Sequence, residues 1–275
     1  MPSSASGERP PQTRRTATVE FVRGSVRGSR RRALATLPSL FTLANMLCGF
    51  AAILVSIRGQ YTLAAVLIGL SVLFDITDGA VARLVGAVTP FGLQFDSLAD
   101  LVSFGLAPAL LAFTLFSEGR DEWDPLGWVV CFLWVACAAI RLARFNTTID
   151  PTADKRYFIG MPSPGAAGIV LASVFAFGDS MQGRDRLWVL LVVALPAVLM
   201  VTNIRFRSFR SLVSPKSGRP YGLIAAAVLL VVGLALWPVV TFCLLAYGYL
   251  FAPVLVPVVA PLAGLLPARL KEVLS

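Results

Sequence analysis

Four aspartates stand within a largely apolar stretch of the chain: Asp75, Asp78, Asp96 and Asp100. The first two are spaced i,i+3 and the last two i,i+4. On helices, each pair projects from one face. Two such faces meeting gather four carboxylates around one cavity. In hydrocarbon each carboxylate costs about 2.5–3.5 kcal/mol unless it is paired, hydrated or metal-bound. Hard oxygen ligands gathered at one point suit Mg²⁺ or Mn²⁺. Two such ions about 3.5–4 Å apart, shared by carboxylates, would clamp a pyrophosphate and stabilise both oxygens of an in-line displacement. One carboxylate could instead take a proton from an attacking hydroxyl. The chain has no histidine, so proton transfer near neutral pH falls to another group, a carboxylate first. The spacing alone thus suggests phosphoryl transfer, and leaves open a cation transporter or channel lined by the same aspartates.

The neighbours of the aspartates fit a phosphate ligand. Gly79 follows Asp78 directly and Ala82 lies nearly a turn further on, so a helix backbone or a ligand can come close. Arg83 is i,i+4 from Gly79, and its guanidinium can hold a phosphate bidentately. A snorkelling, membrane-anchoring arginine would look the same. Thr89 and Pro90 are expected to break the helix, and Gly92 to open a turn leading to Asp96.

The elements that carry these residues are membrane spans. The chain of 275 residues is 57% hydrophobic and 14% charged, with a mean hydropathy of +0.77. Apolar runs of about 20 residues, the length that crosses the hydrocarbon core, recur along it. The expected fold is all-α, a polytopic membrane protein of about eight transmembrane helices, near 34–57, 61–86, 92–116, 126–145, 162–179, 187–204, 221–239 and 242–266. The transmembrane domain covers 34–268, between a disordered basic tail, 1–33, and a short tail, 269–275. With the N-terminus in the cytoplasm, 20 of the 24 basic residues fall on the inside. That bias matches the positive-inside rule. It places both termini and the four aspartates on the cytoplasmic side of the cell membrane. The tail holds eight arginines, which suit anionic lipid or set topology. Its one aromatic residue, Phe21, argues against nucleic acid. Cys48, Cys131, Cys137 and Cys243 lie in apolar runs with no C-x-x-C pair, and read as reduced packing residues. No internal repeat and no Gly-rich phosphate loop ending in Lys-Ser/Thr is visible.

The pattern formed by Asp75, Asp78, Gly79, Ala82, Arg83, Gly92, Asp96 and Asp100 fixes eight positions across 26 residues. It resembles the signature of the CDP-alcohol phosphatidyltransferase family without departure. The resemblance implies transfer of a phosphoryl-containing group from a CDP-linked alcohol to a second alcohol, with release of CMP. It implies that Asp75, Asp78 and Asp96 are ligands of a dimetal site, with Mg²⁺ or Mn²⁺, two ions per active site. Asp100 would be a ligand of the second metal and the general base. Gly79 and Arg83 match positions that contact the CDP moiety and its phosphates, and Thr89 a nucleotide-contacting position. A homodimer is also implied. The stretches Asp96–Pro108, Arg141–Asn146, Phe158–Pro164, Asn203–Phe209 and Leu37–Asn45 are similar to the branch that joins CDP-diacylglycerol to L-serine, the integral-membrane phosphatidylserine synthases.

A serine site needs a cation for the carboxylate. Arg141 and Arg144 end the fourth span on the cytoplasmic side and Asn146 follows. They could hold the serine carboxylate, the lipid phosphate, or simply the membrane surface. Ser163, Asn203 and Arg205 are further acceptor candidates. Asn45 and Thr42 in the first span could face the nucleotide or only pack against other spans. A phosphorylated acceptor, glycerol phosphate or inositol phosphate, stays open through Lys155 with Arg156 and through Arg205, Arg207 and Arg210. A transporter would need polar residues along the whole bilayer depth, and the outer halves of the spans hold almost no charge. The sequence favours a one-sided site.

Overall fold

Hydrocarbon offers backbone N–H and C=O groups no partner, so an apolar run must satisfy them within itself. A computed structural model of the chain describes residues 39–86, 89–117, 125–147, 157–178, 186–207 and 220–263. Helix α1 is Ser39–Ile57, α2 is Tyr61–Val85 and α3 is Pro90–Asp100. Without a break, α3 continues through one π-helical segment, Leu101–Leu106, into α4, Ala107–Ser117. Helix α5 is Pro125–Thr147. Strand β1, Tyr157–Ile159, precedes α6, Ser163–Phe177. Helix α7, Arg186–Val201, precedes β2, Arg205–Arg207. Helices α8, Pro220–Leu236, and α9, Pro238–Ala263, complete the described chain.

Among the described residues, four rods are long and apolar enough to cross a bilayer: Ser39–Ile57, Tyr61–Leu84, Pro90–Leu115 and Pro125–Thr147. Shorter apolar helical stretches are Ser163–Phe177, Leu190–Val201 and Pro238–Phe251. The tails 1–33 and 269–275 lie outside the described residues, as do Lys155, Arg156 and Arg210.

Helix α6 forms the centre. Ala166, Ala167, Ile169, Val170, Leu171, Ala172 and Val174 are buried, and α2, α7 and α9 pack around it. Helix α1 is built the other way round from a soluble amphipathic helix. Thr42, Asn45, Gly49, Ala52 and Ser56 face inward, while Leu40, Leu43, Leu47, Phe50, Leu54 and Ile57 face outward. Lipid is as apolar as leucine, so membrane helices associate through small and polar residues that let backbones approach. At Gly49 the approach is tightest. A Cβ there would stand 2.6 Å from the Ser103 Cα.

Ser103 belongs to the π-helical segment that begins immediately after Asp100. The wider turn disturbs the regular ladder of carbonyl acceptors, as at many functional sites. Among these carbonyls, that of Phe104 accepts a hydrogen bond from the Trp134 indole N–H of α5 at 3.1 Å. Both residues are fully buried.

One feature departs from the all-helical expectation. β1 and β2 pair antiparallel, with Phe158 opposite Phe206. Three-residue strands are too short to show alternation in a sequence. The ribbon is anchored by Gly160, whose φ is 79°. Its N–H donates to the Ile204 carbonyl at 2.9 Å, and the next N–H, of Met161, donates to the Leu199 carbonyl at 3.0 Å. A Cβ on Gly160 would press on the Met200 carbonyl oxygen.

Candidate functional site

The two aspartate pairs lie on helices, as their spacing requires. Asp75 and Asp78 project from α2, Asp96 and Asp100 from α3. Carboxylate oxygens of Asp75, Asp78 and Asp96 lie within 4.8 Å of one another. Asp78 is buried and accepts a hydrogen bond from the Thr42 hydroxyl at 2.8 Å. Asp100 falls outside that trio; its Oδ1 accepts from Asn45 Nδ2 at 3.2 Å. The Asn45 carbonyl accepts from the Ser103 hydroxyl at 3.0 Å. Thr42 and Asn45 therefore face carboxylates, and α1 closes the site by holding two of the four.

Three carboxylates this close repel one another. At 4.8 Å and an effective dielectric of ~20, each ionised pair costs about 3.5 kcal/mol. Asp96 Oδ1 is buried and has no hydrogen-bond donor among the described residues. An all-oxygen, hard, anionic cluster with an orphaned oxygen fits a small divalent cation such as Mg²⁺ or Mn²⁺. Arg141, on α5, is near enough to interact electrostatically with Asp75 and Asp100, but its guanidinium is directed elsewhere as well. Its Nη1 donates to the Ser163 hydroxyl at 2.9 Å.

Arg83 folds back over Gly79. A Cβ at Gly79 would stand 3.3 Å from Arg83 Nη1, so glycine leaves the guanidinium lying against the α2 backbone. Helix α2 ends soon after, at Gly86, whose φ is 65° and whose N–H donates to the Ala82 carbonyl. Thr89 caps α3: its hydroxyl accepts from the Gly92 N–H at 3.0 Å, and Pro90 takes the first helical position, where no N–H is needed. Gly92 opens no turn. It lies within the first turn of α3, which Thr89 and Pro90 already start.

The acceptor candidates separate into two groups. Arg141 donates to Ser163 and is near enough to interact electrostatically with Asp75 and Asp100. Arg144 is exposed and its Nη2 donates to Asn203 Oδ1 at 2.8 Å. Asn146 Nδ2 donates to the Ser97 hydroxyl at 2.9 Å, beside Asp96. The Arg205 side chain lies outside the described residues. Ser97, Ser103 and Trp134 were not marked by the sequence. Single serines and a tryptophan in apolar helices carry no spacing signal; only the contacts reveal them.

The profile of the CDP-alcohol phosphatidyltransferases matches residues 35–177, and the chain belongs to that family. A CDP-diacylglycerol–serine O-phosphatidyltransferase of Helicobacter pylori is 38% identical over 179 residues, 64% of this chain and 74% of the relative. One of Mycobacterium tuberculosis is 33% identical over 230 residues, 79% of this chain and 78% of the relative. The archaetidylserine synthase of Methanothermobacter thermautotrophicus is 35% identical over 172 residues, 62% of this chain and 69% of the relative.

Proposed function

We propose that this member of the family transfers the phosphatidyl group of CDP-diacylglycerol to the hydroxyl of L-serine, giving phosphatidylserine and CMP. The observation that carries the reading is the carboxylate trio on α2 and α3 with its orphaned Asp96 oxygen, in a chain similar to enzymes named for this reaction.

Asp75, Asp78, Asp96 and Asp100 would hold two divalent ions. When bound, such ions neutralise the pyrophosphate and stabilise charge on the attacking and departing oxygens. The remaining work belongs to side chains. Gly79 leaves room for the CDP moiety, and Arg83 holds its phosphates by charge-assisted hydrogen bonds. Thr42 and Asn45 fix the carboxylates of Asp78 and Asp100. Arg141, oriented by Ser163, binds the serine carboxylate. Asp100 takes the proton of the serine hydroxyl. The serine oxygen bonds to the phosphorus that carries the diacylglycerol. The bond from that phosphorus to the bridging oxygen breaks, and CMP leaves with the electron pair.

The site works at the cytoplasmic face of the cell membrane, in a homodimer whose protomers each cross eight times. Residues 34–268 form the transmembrane domain. The basic residues concentrated on one side of that drawing support the orientation. The test is CMP release by purified, detergent-solubilised protein given CDP-diacylglycerol, Mn²⁺ or Mg²⁺, and one alcohol at a time. Serine should support turnover at least tenfold better than glycerol phosphate or inositol phosphate. Preference for a phosphorylated alcohol would overturn the acceptor assignment, and release with none of them would overturn the reaction.

A further inference from the structure

The π-helical segment, Leu101–Leu106, starts directly after Asp100 and ends two residues before Pro108. A proline within a helix has no N–H, and its ring presses on the carbonyl four residues back. Here that carbonyl belongs to Phe104. The wider turn shifts the chain off the regular register: the Ala107 N–H donates to the Val102 carbonyl, five residues earlier. The donor that position 108 lacks reaches the Phe104 carbonyl from another helix, as the Trp134 indole N–H of α5 at 3.1 Å. The turn is pinned on its other side as well. The Ser103 hydroxyl donates to the Asn45 backbone carbonyl of α1 at 3.0 Å, and Asn45 Nδ2 donates to Asp100 Oδ1 at 3.2 Å. Asn45, Ser103, Phe104 and Trp134 are all fully buried. Helix α5 also comes close at Gly105, where a Cβ would stand 3.5 Å from the Cβ of Ala138, one turn along from Trp134.

The geometry points to Trp134 as a positioning residue for Asp100, acting from α5 through the π-helical turn, Ser103 and Asn45. Such turns are rare and occur singly inside α-helices, often at functional sites, so the shape of this one depends on the contacts that hold it. Trp134 supplies one of them. An indole has a single donor and no acceptor, and a ring at full burial cannot swing that donor elsewhere. With the Phe104 carbonyl held, the hydroxyl of the adjacent Ser103 is directed at α1. That bond fixes the Asn45 backbone, and with it the amide that holds Asp100. Trp134 and Arg141 are seven residues apart on α5, hence on one face. One face of one helix therefore steadies the proposed base and carries the arginine assigned to the acceptor carboxylate. The two groups that must meet the acceptor are registered to the same rigid element.

This inference rests on the assignment of Asp100 as the base and is tested so that the two can fail separately. The full-length protein in detergent is compared with Trp134→Phe, Ser103→Ala, Asn45→Leu and the Trp134→Phe/Asn45→Leu double variant. Each is assayed by CMP release with the alcohol that the wild type uses best. Trp134→Phe keeps an aromatic ring in place and removes the indole donor, and Ser103→Ala removes the next link by a smaller change. Each should lower kcat about fivefold, the scale of one neutral hydrogen bond, with both KM values within twofold of wild type. The double variant should be no worse than Asn45→Leu alone, since the indole acts through the asparagine. Val174→Ala, a truncation at a buried position of α6, controls for stability: it should lower the thermal midpoint and leave kcat within twofold. Backbone amide exchange reads the turn without turnover. In Trp134→Phe it should rise across Leu101–Ala107 and around Asn45, with α6 protected as in wild type. Unchanged kcat in Trp134→Phe and Ser103→Ala, a rise in KM in place of the kcat loss, an equal kcat loss in Val174→Ala, additive losses in the double variant, or unchanged exchange across the turn would each overturn the role of Trp134. Turnover retained in Asp100→Asn would overturn the base assignment alone, and Trp134 would then position Asp100 as a metal ligand.

Discussion

Asn45 and Asp100 are 55 residues apart in the chain, yet Asn45 Nδ2 lies 3.2 Å from Asp100 Oδ1, linking α1 to the end of α3. The asparagine is itself fully buried and tied by its carbonyl to Ser103. The proposed base is therefore oriented by a residue on a different span. Asn45→Leu keeps the side-chain volume but removes the donor. We expect turnover to fall about 10- to 100-fold, the usual effect of losing a partner that orients a ligand. CMP release measures this. A loss under threefold would mean that Asp100 needs no such support.

Gly49 and Ser103 mark the closest contact of α1 with the π-helical segment. Gly49→Ala places a methyl group against the Ser103 backbone as well as its hydroxyl. Backbone cannot rotate away as a side chain can, so α1 must move. Overpacking of this kind costs about 1–3 kcal/mol, read as a lower thermal midpoint in detergent. Because Asn45 lies one turn away on the same face, activity should fall further than stability alone explains. A variant with wild-type midpoint and activity would show that the two helices are not in such contact.

The proposed metal site gives a prediction that does not depend on turnover. Ligand binding stabilises the folded state by about 2.7 kcal/mol at a concentration 100 times Kd. Mn²⁺ should therefore raise the thermal midpoint of the wild-type protein, and chelation should reverse it. Asp96→Asn removes a charge from the trio and should abolish the Mn²⁺ response. In the absence of metal the same variant should be at least as stable as wild type, because one repulsive pair partner is gone. Its turnover should fall below a tenth of wild type. Retained Mn²⁺ stabilisation in Asp96→Asn would remove Asp96 from the ligand set.

The four aspartates were legible because charge in an apolar chain is rare and helical spacing fixes which side chains share a face. Asp75, Asp78 and Asp96 converge as that spacing implies. Thr89 was legible as a helix start, but its role as a cap through Gly92 was not, since a Thr-Pro-x-Gly run reads equally as a turn. Arg141 and Arg144 looked alike in sequence. They differ only because positions three residues apart on a helix are rotated by some 60°, which sends one to Ser163 and the other to Asn203. Asn45 and Thr42 had two open readings, facing the nucleotide or only packing, and neither reading named what the packing of α1 gives them, hydrogen bonds to Asp100 and Asp78. The β1–β2 ribbon had no signature, because it arises from pairing of distant parts of the chain, and nothing in the residues Leu101–Leu106 announces the π-helical turn.

The last prediction separates the two tasks given to Asp100. Asp100→Asn retains a carbonyl oxygen, which can still be a metal ligand and can still accept the Asn45 hydrogen bond seen at 3.2 Å. The amide cannot take a proton from the acceptor hydroxyl. Turnover should fall by about 10²–10⁴-fold, the usual worth of general-base help, while Mn²⁺ still raises the thermal midpoint. Asp100→Ala removes both functions and should lose turnover and weaken the Mn²⁺ response together. The pair of variants distinguishes the roles, because removing a base lowers kcat without touching metal affinity, whereas removing a ligand lowers both. If Asp100→Asn kept more than a tenth of wild-type kcat, the proton would have to leave by another group. Asp75 or Asp96 would then be next to test, since both share the site and neither is tied to Asn45.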